Sequence, residues 1–261
     1  MEQVCRHDAI YAILRKKGRA SCLELQQDLG VSLMTVRRDL DKLASKGLVQ
    51  KFHGGAELSR PNLLQELPFS KRKQQEVEKK MAIAVEAVKL VNDGDRIYID
   101  GSTTGEEFAK RLRGRQNLIV VTDSLSIQLE LYQVSGITVI SLGGTLQSDG
   151  NTMEGPLAVD NAHRLKCDKA FFSCAGFDES GITNPGPIGT EIKRIVSTRA
   201  DRSVLLADST KWGKRGFMQF MDLSEIDLLV TDDGIPAEAV DVLKRLNVET
   251  VTAMTVKGRG I

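Results

Sequence analysis

Residues that could bind a phosphorylated ligand recur in the larger, C-terminal part of this chain. Hydroxyl, carboxylate, glycine and lysine residues directly follow short aliphatic runs, as in the segments 100–104 and 208–211. Backbone N–H groups, hydroxyls and lysines donate hydrogen bonds to phosphate, whereas carboxylates accept them from hydroxyls. We therefore expect a phosphorylated sugar or polyol effector. Its expected contacts are Asp100, Ser102, Thr103, Thr104, Thr122, Asp123, Ser124, Gly143, Gly144, Gly176, Asp178, Lys193, Asp208 and Lys211.

Each of these loops, taken alone, has a simpler interpretation, because Asp, Ser, Thr and Gly cap helices and form turns in most proteins. Five such loops at the carboxyl ends of predicted parallel strands favour binding instead, since ligands of open α/β sheets bind there. The segment 100–105 also leads into a predicted helix, whose first N–H groups could bind an anion. No GxxxxGK[ST] motif is present, which argues against a nucleoside triphosphatase.

A second group of candidate residues lies near the N-terminus and points to double-stranded DNA. On a predicted helix at about 100° per residue, Met34 and Arg38 project opposite the apolar stripe. A basic helix of this kind can enter the major groove, while a following turn contacts the phosphate backbone. The alternative is a three-helix interaction domain whose arginines are only solvated. The expected DNA contacts are Met34, Thr35, Arg37, Arg38, Lys42, Lys51 and His53.

Three short helices and a hairpin must position these N-terminal residues. Apolar spacing predicts helices over 9–16, 21–29 and 32–46, with a capping box at Ser21 and turns at the glycines that follow. The short link 30–32 between the second and third helices is typical of a helix-turn-helix. Residues 48–52 alternate like a strand, and the turn 53–56 would close a small wing. The N-terminal part is therefore predicted to be a winged helix-turn-helix.

The C-terminal part alternates buried strands with helices, which is typical of an α/β fold. Strands are predicted at 96–99, 118–121, 137–142, 170–174, 203–207, 228–230 and 248–252. Helices are predicted at 105–112, 124–132, 156–165, 191–198 and 237–246. We expect an open, mainly parallel sheet with helices on both faces. The predicted organisation is a DNA-binding domain over 1–57, a linker over 58–80 that contains Pro61 and Pro68, and an effector-sensing domain over 81–261.

The distribution of charge agrees with a polyanionic partner at the N-terminal end. Residues 1–80 contain 16 Lys and Arg against 10 Asp and Glu, a net charge of +6. Residues 81–261 contain 20 against 25, a net charge of −5. A modestly basic module on an acidic body favours nucleic-acid binding by the module, although a solvated surface can produce the same asymmetry.

The remaining composition predicts a cytoplasmic protein without metal or cofactor. Cys5, Cys22, Cys167 and Cys174 form no CxxC pair, and with the three scattered histidines they make no recognised zinc-binding motif, which argues against a zinc site. Free cysteine behaves as a small apolar residue, so we expect these four to be reduced core residues. No apolar segment approaches the ~20 residues that span a bilayer, and residues 1–6 do not resemble a signal peptide.

The run GVSLMTVRRDL over 30–40, with Leu43, 47–48 and 53–55, resembles the N-terminal domain of the DeoR family of bacterial regulators. The C-terminal loops, together with 191–194, resemble the sensor domain of the same family, so the resemblance covers nearly the whole chain. It implies a winged helix-turn-helix joined to a sensor domain related to ribose-5-phosphate isomerase. It also implies repression of sugar or polyol catabolism under the control of a phosphorylated sugar.

The resemblance further implies particular roles in the loops. In the related isomerases, a serine and threonine loop holds phosphate while acid and lysine groups transfer protons. Phosphate binding is thereby assigned to Ser102, Thr103 and Thr104. Effector contacts are assigned in the same way to Asp100, Asp123, Gly144, Asp178, Lys193 and Lys211.

Two further expectations concern assembly and chemistry. A single winged helix presents a small interface to DNA, so specific binding generally uses two or more copies on repeated half-sites. We therefore expect a homodimer or homotetramer held by the C-terminal domain. The competing hypothesis is an aldose–ketose phosphate isomerase with a DNA-binding appendage, in which Asp123, Asp178 or Glu191 would be the general base.

Overall fold

The computed structural model describes residues 3–45, 49–52, 54–58, 68–186 and 188–255. Its contacts divide the chain into two compact units, an N-terminal unit over 1–63 and a C-terminal unit over 64–261. Helices in the described residues are all too short or too polar to cross a membrane. Cys22, Cys167 and Cys174 are buried and free, as expected, whereas the side chain of Cys5 lies outside the described part.

Three helices form the N-terminal unit, as the apolar spacing predicts. They are α1 (Gln3–Lys17), α2 (Cys22–Leu29) and α3 (Leu33–Ser45). The predicted capping box is confirmed, because the Ser21 side chain accepts from the Glu24 N–H while Glu24 binds the Ser21 backbone. Gly30 ends α2 at φ 64°, a conformation that glycine adopts without steric cost. Helix α1 starts six residues before the predicted boundary, since its first turns carry no apolar repeat that periodicity could detect.

The wing of the N-terminal unit is a three-stranded antiparallel sheet. It contains β1 (Arg19–Ser21), β2 (Val49–Phe52) and β3 (Gly55–Leu58) in the order β1-β3-β2. The predicted hairpin supplies β2 and β3, whereas β1 was not predicted because three residues carry too short a pattern. Leu48 and His53 lie outside the described residues.

A seven-stranded parallel sheet organises the C-terminal unit in the order β15-β14-β12-β9-β4-β5-β6. All seven strands were predicted within a few residues of their ends. In chain order the strands of the unit are β4 (Arg96–Ile99), β5 (Leu118–Thr122), β6 (Ile137–Ser141), β7 (Thr145–Leu146), β8 (Met153–Glu154), β9 (Lys169–Phe172), β10 (Gly176–Asp178), β11 (Gly181–Asn184), β12 (Arg202–Leu206), β13 (Met218–Met221), β14 (Leu228–Asp232) and β15 (Glu249–Ala253).

Helices cover both faces of this sheet, which confirms the predicted layering. Successive strand residues point to opposite faces, so Tyr98 belongs to one apolar core and its neighbours Ile97 and Ile99 to the other. The described helices are α4 (Phe69–Lys73), α5 (Val77–Ala87), α6 (Thr103–Ala109), α7 (Leu125–Leu131), α8 (Pro156–Arg164), α9 (Ile188–Arg199) and α10 (Ala237–Arg245). Helices α5, α6 and α7 pack in the core of Ile97, whereas α8, α9 and α10 pack in the core of Tyr98.

Several short elements were not predicted. Strands β10, β11 and β13 form a separate antiparallel sheet, and β7 pairs with β8 as a small hairpin. The predicted linker 58–80 contains α4 and the beginning of α5, while Pro61 and the rest of 59–67 lie outside the described residues. The hairpin and the segment 68–80 both line a cavity in the C-terminal unit.

Candidate functional site

The outer face of α3 presents the residues predicted to contact DNA. Met34 is 81% exposed, and Arg37, Arg38 and Lys42 are exposed as well. The opposite face carries the fully buried Val36, Leu40 and Leu43, which fix the rotation of the helix about its axis. The structure thus brings five of the predicted contacts onto one helix. Four of them are exposed, and the fifth, Thr35, is half-buried and hydrogen-bonded to the Ser32 side chain that caps the helix.

The wing residue Lys51 is exposed on β2, and its ammonium group forms an ion pair with Asp41 of α3. This pair joins the wing to the helix on which the basic residues lie. An exposed ion pair of this kind contributes little stability, so Lys51 can exchange Asp41 for another anion at small cost. His53, the other predicted wing contact, lies outside the described residues.

A buried carboxylate on α3 holds this helix against α1. Asp39 is 2% exposed and accepts hydrogen bonds from Arg6 Nε at 2.6 Å and from the His7 ring at 3.1 Å. Burial acts to raise the pKa of Asp39, but the hydrogen bonds from Arg6 and His7 outweigh it and hold this pKa below its ordinary value. Because Asp39 lies between the exposed Arg38 and the buried Leu40, its ion pairs help to orient the basic face.

Acid should therefore loosen α1 from α3. A carboxylate with a lowered pKa in the folded state stabilises the protein above its unfolded pKa of about 4, and this stabilisation is lost as the pH falls through the folded value. We expect faster hydrogen exchange of the α1 amides below about pH 4, and at neutral pH in the variant Asp39→Asn. The variant Asp41→Asn, on the exposed face of the same helix, is the control. Equal exchange in the two variants would contradict this role of Asp39.

A cavity of about 730 Å³ opens at the carboxyl end of the parallel sheet. Its walls combine the loops after β4, β5, β9 and β12 with the β7–β8 hairpin, the start of α9 and the segment 68–80. Six of the residues predicted to bind effector are brought together here. They are Ser102, Thr103, Asp123, Lys193, Asp208 and Lys211.

The other predicted effector contacts lie outside the cavity wall. Asp100 is fully buried behind it and binds Lys193, and Thr104 is buried within α6. Thr122 donates to the Ile99 carbonyl, and Ser124 caps α7. The remaining four are Gly143, Gly144, Gly176 and Asp178.

Three of these last four residues have local structural functions. Gly144 has φ 109°, and a Cβ there would lie 2.5 Å from the Glu154 carbonyl oxygen, so the hairpin requires glycine. A Cβ at Gly176 would lie still closer, 2.0 Å from the carbonyl oxygen of Lys214. Asp178 accepts from Arg215 at 2.5 Å, and its pKa is below the ordinary value because bonds from Ser180 and Arg215 outweigh the effect of burial.

Lys80, Lys211 and Asp208 form a basic cluster in the cavity wall. Lys211 Nζ donates to Ser173 Oγ at 2.8 Å and lies 4.0 Å from the Asp208 carboxylate. Lys80 is 5% exposed and donates to the carbonyls of Arg72 and Gln75 at 2.5 and 2.6 Å. Burial, and then the positive charge of Lys211, lower the pKa of Lys80 to about 8. Because this cluster contains two lysines and one carboxylate, its excess positive charge can bind an anion.

Asp100, Asp123 and Glu154, together with Lys193, form an acidic cluster beside it. Lys193 Nζ lies 2.8 Å from Asp100 Oδ2 and donates to the Ser173 carbonyl at 2.8 Å. Asp123 is 1% exposed and lies beside the fully buried Tyr98, whose pKa is raised by burial and by the Asp123 and Asp100 carboxylates. Burial and the neighbouring Asp100 raise the pKa of Asp123 to about 7. The two clusters meet at Ser173, whose hydroxyl and carbonyl contact a lysine of each.

Much of the cavity wall could not be recognised from sequence. The segment 68–80 contributes Arg72 and Lys80, although its charges and prolines suggested a linker. The hairpin contributes Asp149 and Glu154, which follow the predicted glycine turn but have no motif of their own. The burial of Lys80 could have been predicted from helical spacing. Ile83, Ala84 and Ala87 lie three, four and seven residues after it, which places position 80 on the buried face of α5.

Comparisons with known protein families match both units. The family model of the DeoR-like helix-turn-helix domain matches residues 6–62. The model of the DeoR C terminal sensor domain matches residues 75–233.

Similar proteins extend over almost the whole chain. The uncharacterized HTH-type transcriptional regulator YulB of Bacillus subtilis is 36% identical over 98% of this chain and 98% of its own length. The HTH-type transcriptional repressor GlcR of the same organism is 33% identical over 99% of this chain and 100% of its own. The L-fucose operon activator of Haemophilus influenzae is 32% identical over 94% of this chain and 98% of its own.

Among solved structures, a ribose 5-phosphate isomerase A from Methanocaldococcus jannaschii is similar to part of the chain. The match covers 51% of this chain and 53% of that one, with a TM-score of 0.38 and 22% sequence identity.

Proposed function

The chain belongs to the DeoR family of transcriptional regulators, and from this premise we propose that it represses a sugar or polyol catabolic operon under the control of a phosphorylated sugar. Members of this family are DNA-binding regulators and not enzymes, so the isomerase hypothesis is set aside. Repression is proposed by analogy with the relative GlcR, which is a transcriptional repressor, whereas the fucose relative is an activator. Repressors and activators of this family both bind DNA, so the proposed DNA-binding role does not depend on which of the two this chain is.

The observation that carries the effector proposal is the cavity in the C-terminal unit. Its basic cluster offers two lysine ammonium groups to a phosphate, beside the backbone and hydroxyls of Ser102 and Thr103. Carboxylates and carbonyls on the same wall can accept hydrogen bonds from sugar hydroxyls. A volume near 730 Å³ is within the range of roughly 300–1,000 Å³ that small-molecule sites occupy.

We propose that α3 enters the major groove of the operator and that the wing contacts its backbone. Arg37, Arg38 and Lys42 are exposed on α3, while the buried stripe fixes their direction. In this proposal the regulator works in the cytoplasm as a homodimer or homotetramer, so that two or more recognition helices contact repeated half-sites. Effector occupancy changes operator affinity only if the effector prefers one conformation of the regulator.

Thermal unfolding in the presence of candidate effectors tests the proposal. A ligand at about 100 times its Kd stabilises the folded state by about 2.7 kcal/mol, which corresponds to roughly 5–10 °C for a domain of this size. We expect such a shift with at least one phosphorylated sugar or polyol and no comparable shift with its unphosphorylated counterpart. Equal shifts with both members of every pair, or none with any phosphate ester, would contradict the proposal.

A further inference from the structure

Arg72 of α4 joins two walls of the cavity in the C-terminal unit. Its Nη2 lies 3.4 Å from Asp149 Oδ2 in the loop of the β7–β8 hairpin, and both residues line the cavity. The two side chains are 18% and 17% exposed, and the guanidinium group also lies over the ring of Phe69, 5.6 Å from its centroid. Arg72 is thus held at the cavity wall with part of its side chain accessible.

The charge of Arg72 adds to that of the basic cluster. Lys80 donates a hydrogen bond to the Arg72 carbonyl at 2.5 Å, so the two residues are in direct contact. Burial lowers the pKa of Lys80 most, and the positive charges of Lys211 and Arg72 lower it further, whereas Asp208 and Glu107 act in the opposite direction. Glu107 is itself paired with the basic residues three and four positions after it. An anion beside Lys80 and Lys211 is therefore attracted by Arg72 as well.

Asp149 does not depend on Arg72 for its hydrogen bonds. Its carboxylate accepts from the backbone N–H groups of Asn151 and Thr152 at 2.8 and 2.9 Å and from the Thr152 hydroxyl at 2.5 Å. The contact with Arg72, at 3.4 Å, is longer than the roughly 2.7–2.9 Å of a charge-assisted hydrogen bond. The guanidinium group can therefore move away from Asp149 while the carboxylate keeps these three hydrogen bonds.

A phosphate monoester is a stronger partner for Arg72 than this carboxylate. It carries close to two negative charges near pH 7 and three acceptor oxygens, whereas Asp149 carries one charge that already accepts from the hairpin loop. A guanidinium group also binds phosphate through two parallel hydrogen bonds. Once a phosphate occupies the basic cluster, it is the preferred partner of the guanidinium group.

We propose that Arg72 binds the phosphate of the effector and couples occupancy of the cavity to operator binding. Without effector, Arg72 contacts Asp149 of the hairpin. A phosphate in the basic cluster binds the guanidinium group instead, which changes the position of α4 relative to the hairpin.

Helix α4 is well placed to transmit this change. It is the first described element of the C-terminal unit, after the chain that comes from the N-terminal unit. The effector then has a higher affinity for one conformation of this segment, which any control of operator binding requires. This inference rests on the proposed function and adds a phosphate-binding residue and a route of control to the same cavity.

Calorimetric titration of the full chain tests the binding role. The probes are inorganic phosphate, glucose 6-phosphate, fructose 6-phosphate and glycerol 3-phosphate, and the probe with the lowest Kd for the wild-type chain is used for the variants. We expect Arg72→Gln to raise this Kd at least about tenfold, the effect of one charge-assisted hydrogen bond to phosphate. The control is Arg245→Gln at the end of α10, an exposed arginine that is also paired with a carboxylate, and it should keep the wild-type Kd.

Asp149→Asn tests the exchange of partners. Asparagine keeps an acceptor oxygen for the N–H groups of the hairpin loop but loses the charge that competes for Arg72. We expect the Kd of the probe to fall about threefold, the effect of one partly exposed ion pair. In the Arg72→Gln background the same substitution should produce no fall, whereas simple relief of repulsion between Asp149 and the phosphate would lower the Kd equally in both backgrounds.

Fluorescence anisotropy of labelled operator tests the coupling. A saturating concentration of the probe should change the operator affinity of the wild-type chain. In Arg72→Gln, at a concentration that saturates the variant, operator affinity should be the same with and without the probe. Arg245→Gln should respond like the wild-type chain.

The possible failures are distinguishable. An unchanged Kd in a folded Arg72→Gln chain, or a full operator response of that variant at saturation, overturns the inference while the phosphate sensor remains. If Arg72→Gln does not fold, Asp149→Asn decides, and a Kd that does not fall contradicts the exchange of partners. If the wild-type chain binds none of the four probes, the proposed function and the inference fail together.

Discussion

Replacement of Lys211 by alanine is expected to abolish the response to the effector while operator binding without effector stays nearly unchanged. Lys211 Nζ lies in the cavity wall, 2.8 Å from Ser173 Oγ and 4.0 Å from the Asp208 carboxylate. Each charge-assisted hydrogen bond to phosphate is worth roughly 1.5–3 kcal/mol, so losing one weakens effector binding by about 10- to 150-fold. The loss is larger if Lys211 makes two such bonds.

Operator binding without effector should survive because the proposed DNA contacts belong to the N-terminal unit. An effector changes DNA affinity only through its different affinity for two conformations, so a chain that cannot bind effector retains its basal affinity. Fluorescence anisotropy of labelled operator, with and without effector, measures both quantities in one titration. Lys244→Ala, an exposed lysine on α10, is the matched control and should behave as wild type.

Two results would contradict the role of Lys211. One is a normally folded Lys211→Ala chain that loses operator binding together with the effector response. The other is an unchanged effector response, which would place the phosphate away from the basic cluster.

The parallel sheet could be predicted from sequence because every one of its strands has a short run of aliphatic, aromatic or β-branched residues. The strands β4, β9, β12 and β14 are buried on both faces, so no polar residue interrupts the run, and flanking turn residues mark its ends. The β7–β8 hairpin and the sheet of β10, β11 and β13 escaped prediction. Their strands have two to four residues, too few for a periodic pattern to differ from a loop.

The candidate cavity was predictable only in part, and the reason is physical. Residues directly after parallel strands, such as Ser102 and Lys211, must lie at one edge of the sheet, and topology alone brings them together. The burial of Lys80 depends on α5 packing beside the cavity, which charge and proline content did not indicate. The sequence also could not show that Asp100 lies behind the cavity wall, because an aspartate directly after a strand can be either fully buried or exposed to the cavity.

On α3, replacement of Arg38 by alanine is expected to weaken binding to the specific operator by about 1–3 kcal/mol, or roughly 5- to 150-fold. Arg38 is exposed opposite the buried Val36 and Leu40, where a guanidinium group can donate two hydrogen bonds to guanine. A base contact affects only the specific site, so the loss of affinity should be much smaller on unrelated DNA.

Lys51→Ala provides the contrast, because a phosphate contact carries no sequence information. We expect it to weaken specific and unrelated DNA alike and to reduce the slope of log K against log salt by about 0.9. Since Lys51 already pairs with the exposed Asp41, the change in slope should be larger in an Asp41→Ala background, where the ammonium group has no competing anion. Salt titrations of both variants on operator and on unrelated duplex give these values.

Full operator affinity and selectivity in Arg38→Ala would exclude α3 as the helix that reads the major groove.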